Sequence, residues 1–266
     1  MAQEKWLVDG AKVIDVELVS KLKVSLIAGK VDIVGHDEPG ARVEVHSVSG
    51  KELKISIDDG TLEIDHPQLS WDNFIEVFSS FRGTARADVS IMVPRHIALT
   101  FGVVSASALI SGLTTDATIS TVNGDLVVDG LTGSLQLNGV SGEIAVGNHT
   151  GRVSARTVSG DITASGDLSV FTAESVSGEV FTDVTGVPDE VRISTVSGGV
   201  TTRLASGVPA QYKINTVGGK VHLDNVEIKG VRGQYTGTFG SLDAHWLDFK
   251  ANTVSGNINV LHAVTV

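Results

Sequence analysis

Four carboxylates recur at one place in a repeated phrase: Asp125, Glu143, Asp161 and Glu179 each follow a glycine, and each stands 18 residues after the last. If the chain stacks its repeats, these side chains form a column with about 4.8 Å between neighbours. Such a column either stays solvated or is bridged by cations, and calcium, which takes oxygen ligands at turns, is the ion it would suit. The pattern is thin for that chemistry, with one carboxylate per unit and the column ending at Gly199, Lys220 and Asn257. A solvated acidic ladder is the plainer reading. No metal and no cofactor is assigned.

Beside the acids run Ser141, Ser159, Ser177 and Ser197. No histidine or lysine stands at a spacing that would activate them, and a nucleophile has no need to be repeated, so they read as hydroxyls bonding from coil to coil. The histidines at 36, 46, 66, 96, 149, 222, 245 and 262 are scattered, with no pair at helical metal spacing; His149 falls in an apolar column and reads as buried. A glycosidase would need two carboxylates a few ångströms apart, one with a raised pKa. The acidic column supplies proximity, but aromatic residues are only 5% of the chain, poor material for sugar stacking. The glycines are not followed by Lys-Ser/Thr ahead of a helix, so no phosphate loop is present. Catalytic residues are therefore expected to be none, and the chain reads as a non-enzyme.

The elements that would position these columns follow from the repeat. Val122-Asn123-Gly124-Asp125-Leu126, Val140-Ser141-Gly142-Glu143-Ile144, Val158-Ser159-Gly160-Asp161-Ile162 and Val176-Ser177-Gly178-Glu179-Val180 are its clearest copies, with weaker ones halfway between them. The underlying unit is a nonamer. Four residues after its first position come Ala108, Ala117, Leu126, Leu135, Ile144, Val153, Ile162, Phe171 and Val180, almost all apolar. Nine is odd, so strict alternation would turn every second strand inside out unless one residue per unit breaks the pleat. The glycine column is placed to do this, turning a corner with positive φ. The expected fold is all-β: a single-chain parallel β-helix, or β-solenoid, right-handed, with about 18 residues per coil.

Organisation along the chain is expected to be one solenoid domain over 1–266. Residues 12–100 form an irregular N-terminal strand region, 104–200 the regular nonamer coils, and 201–266 less regular C-terminal coils. Within the first region a loop or short helix is expected over 67–86, where Trp71, Phe74, Phe78 and Phe81 follow the periodicity of one helical face. That segment either covers a solenoid end or presents an apolar patch for a partner, and its four aromatics are the candidate interaction residues. Beyond Glu179 the step lengthens, with Pro188 and Pro209 in added loops. It then spans 37 residues from Val217 to Val254, with Tyr235–Phe239 reading as a degenerate coil between.

The net charge of −11 repels phosphate backbones and anionic membrane surfaces, so nucleic acid is excluded as a partner. The absence of cysteine removes disulfides and thiolate chemistry. The opening Met1-Ala2-Gln3-Glu4-Lys5-Trp6-Leu7-Val8-Asp9 does not resemble a signal peptide, and no apolar run is long enough for a transmembrane helix. The chain thus reads as cytoplasmic, without membrane insertion, or as surface-exposed or secreted if a signal has been removed.

The Thr-Val-Ser-Gly-Asp/Glu-hydrophobic units at Thr157 to Ile162 and Ser175 to Val180, with Gly29-Lys30-Val31-Asp32-Ile33 and Val93-Pro94 upstream, resemble a bacterial family of domains of unknown function labelled as candidate adhesins. The resemblance covers roughly residues 20 to 262 and implies a parallel β-helix without an established activity. Bactofilins, polymerising β-helix scaffolds, are a weaker resemblance. The expected role is a structural scaffold or protein-interaction module, adhesin-like, engaging a protein partner or itself. The alternative is a carbohydrate-binding or polysaccharide-cleaving protein.

Overall fold

Valine, isoleucine and threonine favour extended backbone, and glycine at regular intervals lets that backbone turn sharply. The computed structural model of the chain is built from those two ingredients. It describes residues 4–66, 85–224, 226–228 and 233–264, and these form strands and turns with no helix among them. No helix of the described residues is long and apolar enough to cross a membrane. Trp71, Phe74, Phe78, Phe81 and nearly all of the loop or short helix expected around them lie outside the described residues. The fold is all-β and solenoid-like, in two compact units, Met1–Gly133 and Ser134–Val266.

The first unit is organised on its longest strand, Lys21–His36. On one side it runs parallel to Thr61–Asp65 and Arg86–Pro94, pairing Leu22 with Leu62 and Val31 with Val89. On the other it pairs with Ala98–Ser111, Leu22 meeting Leu99 and Ile33 meeting Ile110. That strand in turn carries Ala117–Asn123 and Leu126–Asp129. Leu22, Leu26, Ile33, Ile91 and Phe101 are fully buried at the centre. The outer coil is closed by antiparallel strands: Leu53–Asp58 and then Glu4–Val8 over one arm, Ala41–Ser49 and then Lys12–Val16 over the other.

In the second unit the repeat becomes a ladder. Ile144 pairs with Ile162, and Ile162 with Val180, each parallel and 18 residues on, as the sequence step requires. The column continues through Val200, Ile258 and Val221. A second column runs Val153, Phe171, Val191, Phe249, Tyr212, with Tyr212 and Phe249 meeting edge to face at 5.8 Å. The residues of both columns are buried.

The order of these columns differs from the order of the sequence. The C-terminal strands Leu247–Thr253 and Ile258–His262 do not end the ladder but lie inside it. They pair with Glu190–Thr195 and Val200–Leu204 on one side and with Ala210–Thr216 and Val221–Leu223 on the other. Nor do residues 235–239 form a coil. Gly233–Phe239 runs antiparallel on Ala210–Thr216. The cause is local: Asp224, with φ of 53°, turns the chain back so that Val226–Ile228 lies antiparallel on Val221–Leu223.

The corner glycines answer to close approach as much as to conformation. A Cβ on Gly178 would stand 1.9 Å from the carbonyl oxygen of Gly160 in the neighbouring coil, and Gly178 itself is not in the left-handed region. Gly198 and Gly256 repeat the same contact one coil further each time, Gly198 against Gly178 and Gly256 against Gly198. Three residues before each sits a buried hydroxyl that fastens the corner. Thr157, Ser175, Thr195 and Thr253 accept the amide hydrogens of Gly160, Gly178, Gly198 and Gly256 at 3.1, 3.0, 3.0 and 2.9 Å.

Candidate interaction surface

Just outside these corners the second unit presents an apolar ridge. Val140, Val158, Val176, Val196, Val254 and Val217 follow one another from coil to coil and are 46, 49, 48, 48, 50 and 71% exposed. Their sequence along the ridge is fixed by backbone hydrogen bonds: Ser159 N to Val140 O, Ser177 N to Val158 O, Ser197 N to Val176 O, Val254 N to Val196 O, and Gly218 N to Val254 O. The pleat forces this placement. From Val158 onward the hydroxyl residue before each valine points inward, so the valine must point outward. The serines after the valines hold the ridge. Ser159, Ser177 and Ser197 donate their hydroxyl hydrogens to the carbonyls of Val140, Val158 and Val176 at 3.2, 3.4 and 3.3 Å. Together they make a continuous apolar strip on the surface of this unit.

Two residues before the ridge valines stand Ser194, Asn252 and Asn215, opposed across paired strands, and Gln234 lies opposite Asn215 to extend the row. Asn215 Nδ2 donates to Asn252 Oδ1 at 2.6 Å, and Asn252 Nδ2 to Ser194 Oγ at 3.2 Å. Where this row meets Val254 and Val217 there is an open cleft of about 370 Å³. Charge begins one row further out. Arg192 donates to Glu190 at 2.5 Å, and Lys250 bridges Glu190, at 3.2 Å, and Asp248. The hydrogen bond from Arg192, then that from Lys250, holds the Glu190 carboxyl below the usual carboxylate range. These charges neutralise one another, leaving the ridge and the amide row uncharged between them and the acidic column.

In the acidic column Asp161 serves the backbone. Asp161 Oδ1 accepts the Glu179 amide hydrogen at 2.8 Å, and Asn257 Oδ1 accepts that of Lys220 at 3.0 Å, the same position three coils on. Glu143 is exposed in the coil before Asp161, and Asp125 is exposed in the first unit. Among the described residues no group of three or more His, Asp or Glu side chains converges where a metal ion could be held. His149 is fully buried. A histidine that spacing did not single out, His262, is engaged at both ring nitrogens. Its Nδ1 lies 3.0 Å from Asp224 Oδ1, its Nε2 lies 3.2 Å from the Val208 carbonyl, and Phe239 stacks on the ring at 3.9 Å. It clasps the end of the ladder.

Comparison with known proteins places the chain in a family. The model of one family, Toastrack DUF4097, matches residues 19–261. The chain belongs to the Toastrack DUF4097 family. Similar solved structures include three bacterial proteins. A candidate lipid-binding protein from Parabacteroides distasonis is 12% identical over 95% of this Toastrack chain and 97% of its own, with a TM-score of 0.47. A candidate adhesin from Bacteroides fragilis is 12% identical over 94% and 97%, with a TM-score of 0.42. A candidate cell adhesion protein from Clostridium sporogenes is 17% identical over 98% and 100%, with a TM-score of 0.30. No curated protein matches the chain.

Proposed function

We propose that this Toastrack chain is a non-catalytic interaction module, adhesin-like in role, that holds a protein partner along the valine ridge of its second unit. The observation that carries this is the unbroken line from Val140 to Val217, exposed in every coil while the residues on either side are tied down. The chain acts as a single domain, a parallel β-helix of roughly 18-residue coils, whose stacking sets the ridge spacing at about 4.8 Å. The single family match over 19–261 supports treating both units as parts of that domain. A partner with an extended apolar segment gains on the order of 25 cal/mol for each Å² of valine surface it covers. A photo-crosslinking residue at Val196, in cells that make the protein, is expected to capture a polypeptide. The same residue at Thr201 should not. Equal capture at both positions, or none at Val196, would sink the proposal.

A second reading rests on the cleft. Asn215, Asn252 and Gln234 offer amide donors and acceptors beside the apolar wall of Val254 and Val217, the pairing that recognises a sugar's hydroxyls and its C–H face. Binding on a glycan array that is lost in Asn252→Ala supports it; an array with no signal removes it.

A further inference from the structure

Four antiparallel strands each have a single ladder partner among the described residues: Glu4–Val8, Lys12–Val16, Val226–Ile228 and Gly233–Phe239. An open edge invites another strand, and proteins commonly guard it with charge or proline. Three of these four carry charge, with Glu4 and Lys5, Lys12 and Asp15, and Glu227. The fourth, Gly-Gln-Tyr-Thr-Gly-Thr-Phe, carries neither charge nor proline. Its β-branched and aromatic residues suit a strand that is paired on both sides.

We propose that Gly233–Phe239 is the contact through which two copies of this chain associate, edge to edge and antiparallel about a two-fold axis at Thr236. The sequence of the strand is complementary to itself in that register. Tyr235 falls opposite the second copy's Gly237, Phe239 opposite its Gly233, and Thr236 opposite itself. Each aromatic therefore stands opposite a residue without a side chain, and with the Tyr235 ring lying over Gly237 of its own strand no two bulky groups are set directly against each other. Threonine facing threonine across an antiparallel pair is a favourable cross-strand match. A shift by one residue would place Tyr235 against Thr236 or Thr238 and lose the pattern.

Two further observations select a second copy as the occupant. The face carrying Tyr235, Gly237 and Phe239 lies over buried Ile214, Tyr212 and Ala210, so it closes the end of the core, yet Phe239 is still 36% exposed. A symmetric strand continues both the ladder and that cover. The chain also carries a net charge of −11, so two copies repel except where the surface in contact is uncharged, and this edge is. A closed two-fold pairing uses this edge in both copies and leaves only the charged edges open, which gives a dimer and not a fibre. The inference rests on the reading of the chain as an interaction module and adds one partner to it.

Light scattering of the full chain across a concentration series tests it. The mass is expected to rise from 27.7 kDa toward twice that value. Thr236 faces Lys213 in its own chain, so Thr236→Glu gains an ion pair in the monomer but sets two carboxylates against each other at the axis. That variant should stay monomeric without loss of stability. The chain has no cysteine. Thr236→Cys should accordingly form a disulfide-linked dimer in air, because directly opposed strand residues lie within disulfide reach, whereas Gln234→Cys, opposite Thr238, should not. A wild-type mass of one chain at every concentration overturns the proposal. So does a dimer that survives Thr236→Glu, or crosslinking by Gln234→Cys as readily as by Thr236→Cys. A monomer that still yields adducts at Val196 removes this inference and leaves the proposed function standing.

Discussion

The amide of Val254 donates to the carbonyl of Val196 at 3.2 Å, although the whole of residues 197–253 lies between them in sequence. The last coil of the chain is thus held on two sides, by strands made earlier on one flank and by Ala210–Thr216 and Val221–Leu223 on the other. Chain ends usually fray because they have one neighbour or none. This end has the contacts of an interior coil.

The consequence is measurable at Phe249, which is fully buried between Val191 and Tyr212. Phe249→Ala is expected to cost about 4 kcal/mol, the loss typical of a buried phenylalanine. Phe171→Ala, in the middle of the ladder, should cost the same. Urea unfolding of both variants checks this. A cost at Phe249 under about 1 kcal/mol would mean that the terminal coil frays and contributes little.

Much of this architecture is legible in the sequence, though unevenly from residue to residue. Ile144, Ile162 and Val180 are spaced at the period of the stack, and their alignment follows from the repeat alone, because each apolar side chain needs its counterpart above and below. The serine ladder is legible for the same reason. Val158 is not. In sequence it opens an apolar phrase, yet it points outward, because the direction of a side chain depends on where the corner breaks the pleat, and the corner is set by Thr157 bonding to the Gly160 amide. Asp161 has the look of a metal ligand, but its carboxylate accepts from the amide of Glu179, a partner that only the stacking brings near. The position of Val254 is least legible of all. A step of nearly two coils does not say that the chain turns back at Asp224 and re-enters the ladder from the far side.

Thr182 and Thr202 stand opposite each other in adjacent coils, fully buried, and neither hydroxyl has a hydrogen-bond partner. Their column neighbours are Ala164 and Val260, so the surroundings are apolar. Burying an unsatisfied hydroxyl costs about 1–3 kcal/mol. Thr182→Val and Thr202→Val keep the branched shape and delete that cost. Each is expected to stabilise the protein by about 1 kcal/mol, read as a higher urea midpoint at unchanged slope. A lower midpoint in either variant would show that the hydroxyl is satisfied in solution.

His66 makes the fold lose stability as pH falls below neutrality. It is fully buried, and its Nδ1 accepts the Ile27 amide hydrogen at 3.1 Å. Burial first, and the positive charge of Lys51 second, push its pKa from 6.5 down to about 4. The unfolded chain therefore takes up the proton first as pH falls. The stability contributed by the neutral ring is complete above pH 6.5, declines between about 6.5 and 4, and is level below that. Between pH 7.5 and 5 the loss should be about 2 kcal/mol. Neighbouring Asp65 works in the opposite direction, since burial raises its carboxyl above the ordinary 3.8 and so favours the folded state as acid is added. That offset runs against the loss from His66 and is common to wild type and a variant at position 66, so their difference reports His66 alone. His66→Asn retains an acceptor for the Ile27 amide and removes the titrating group. Urea unfolding at the two pH values should show wild type losing that stability and His66→Asn keeping it. Equal losses in both proteins would assign the acid sensitivity to another group.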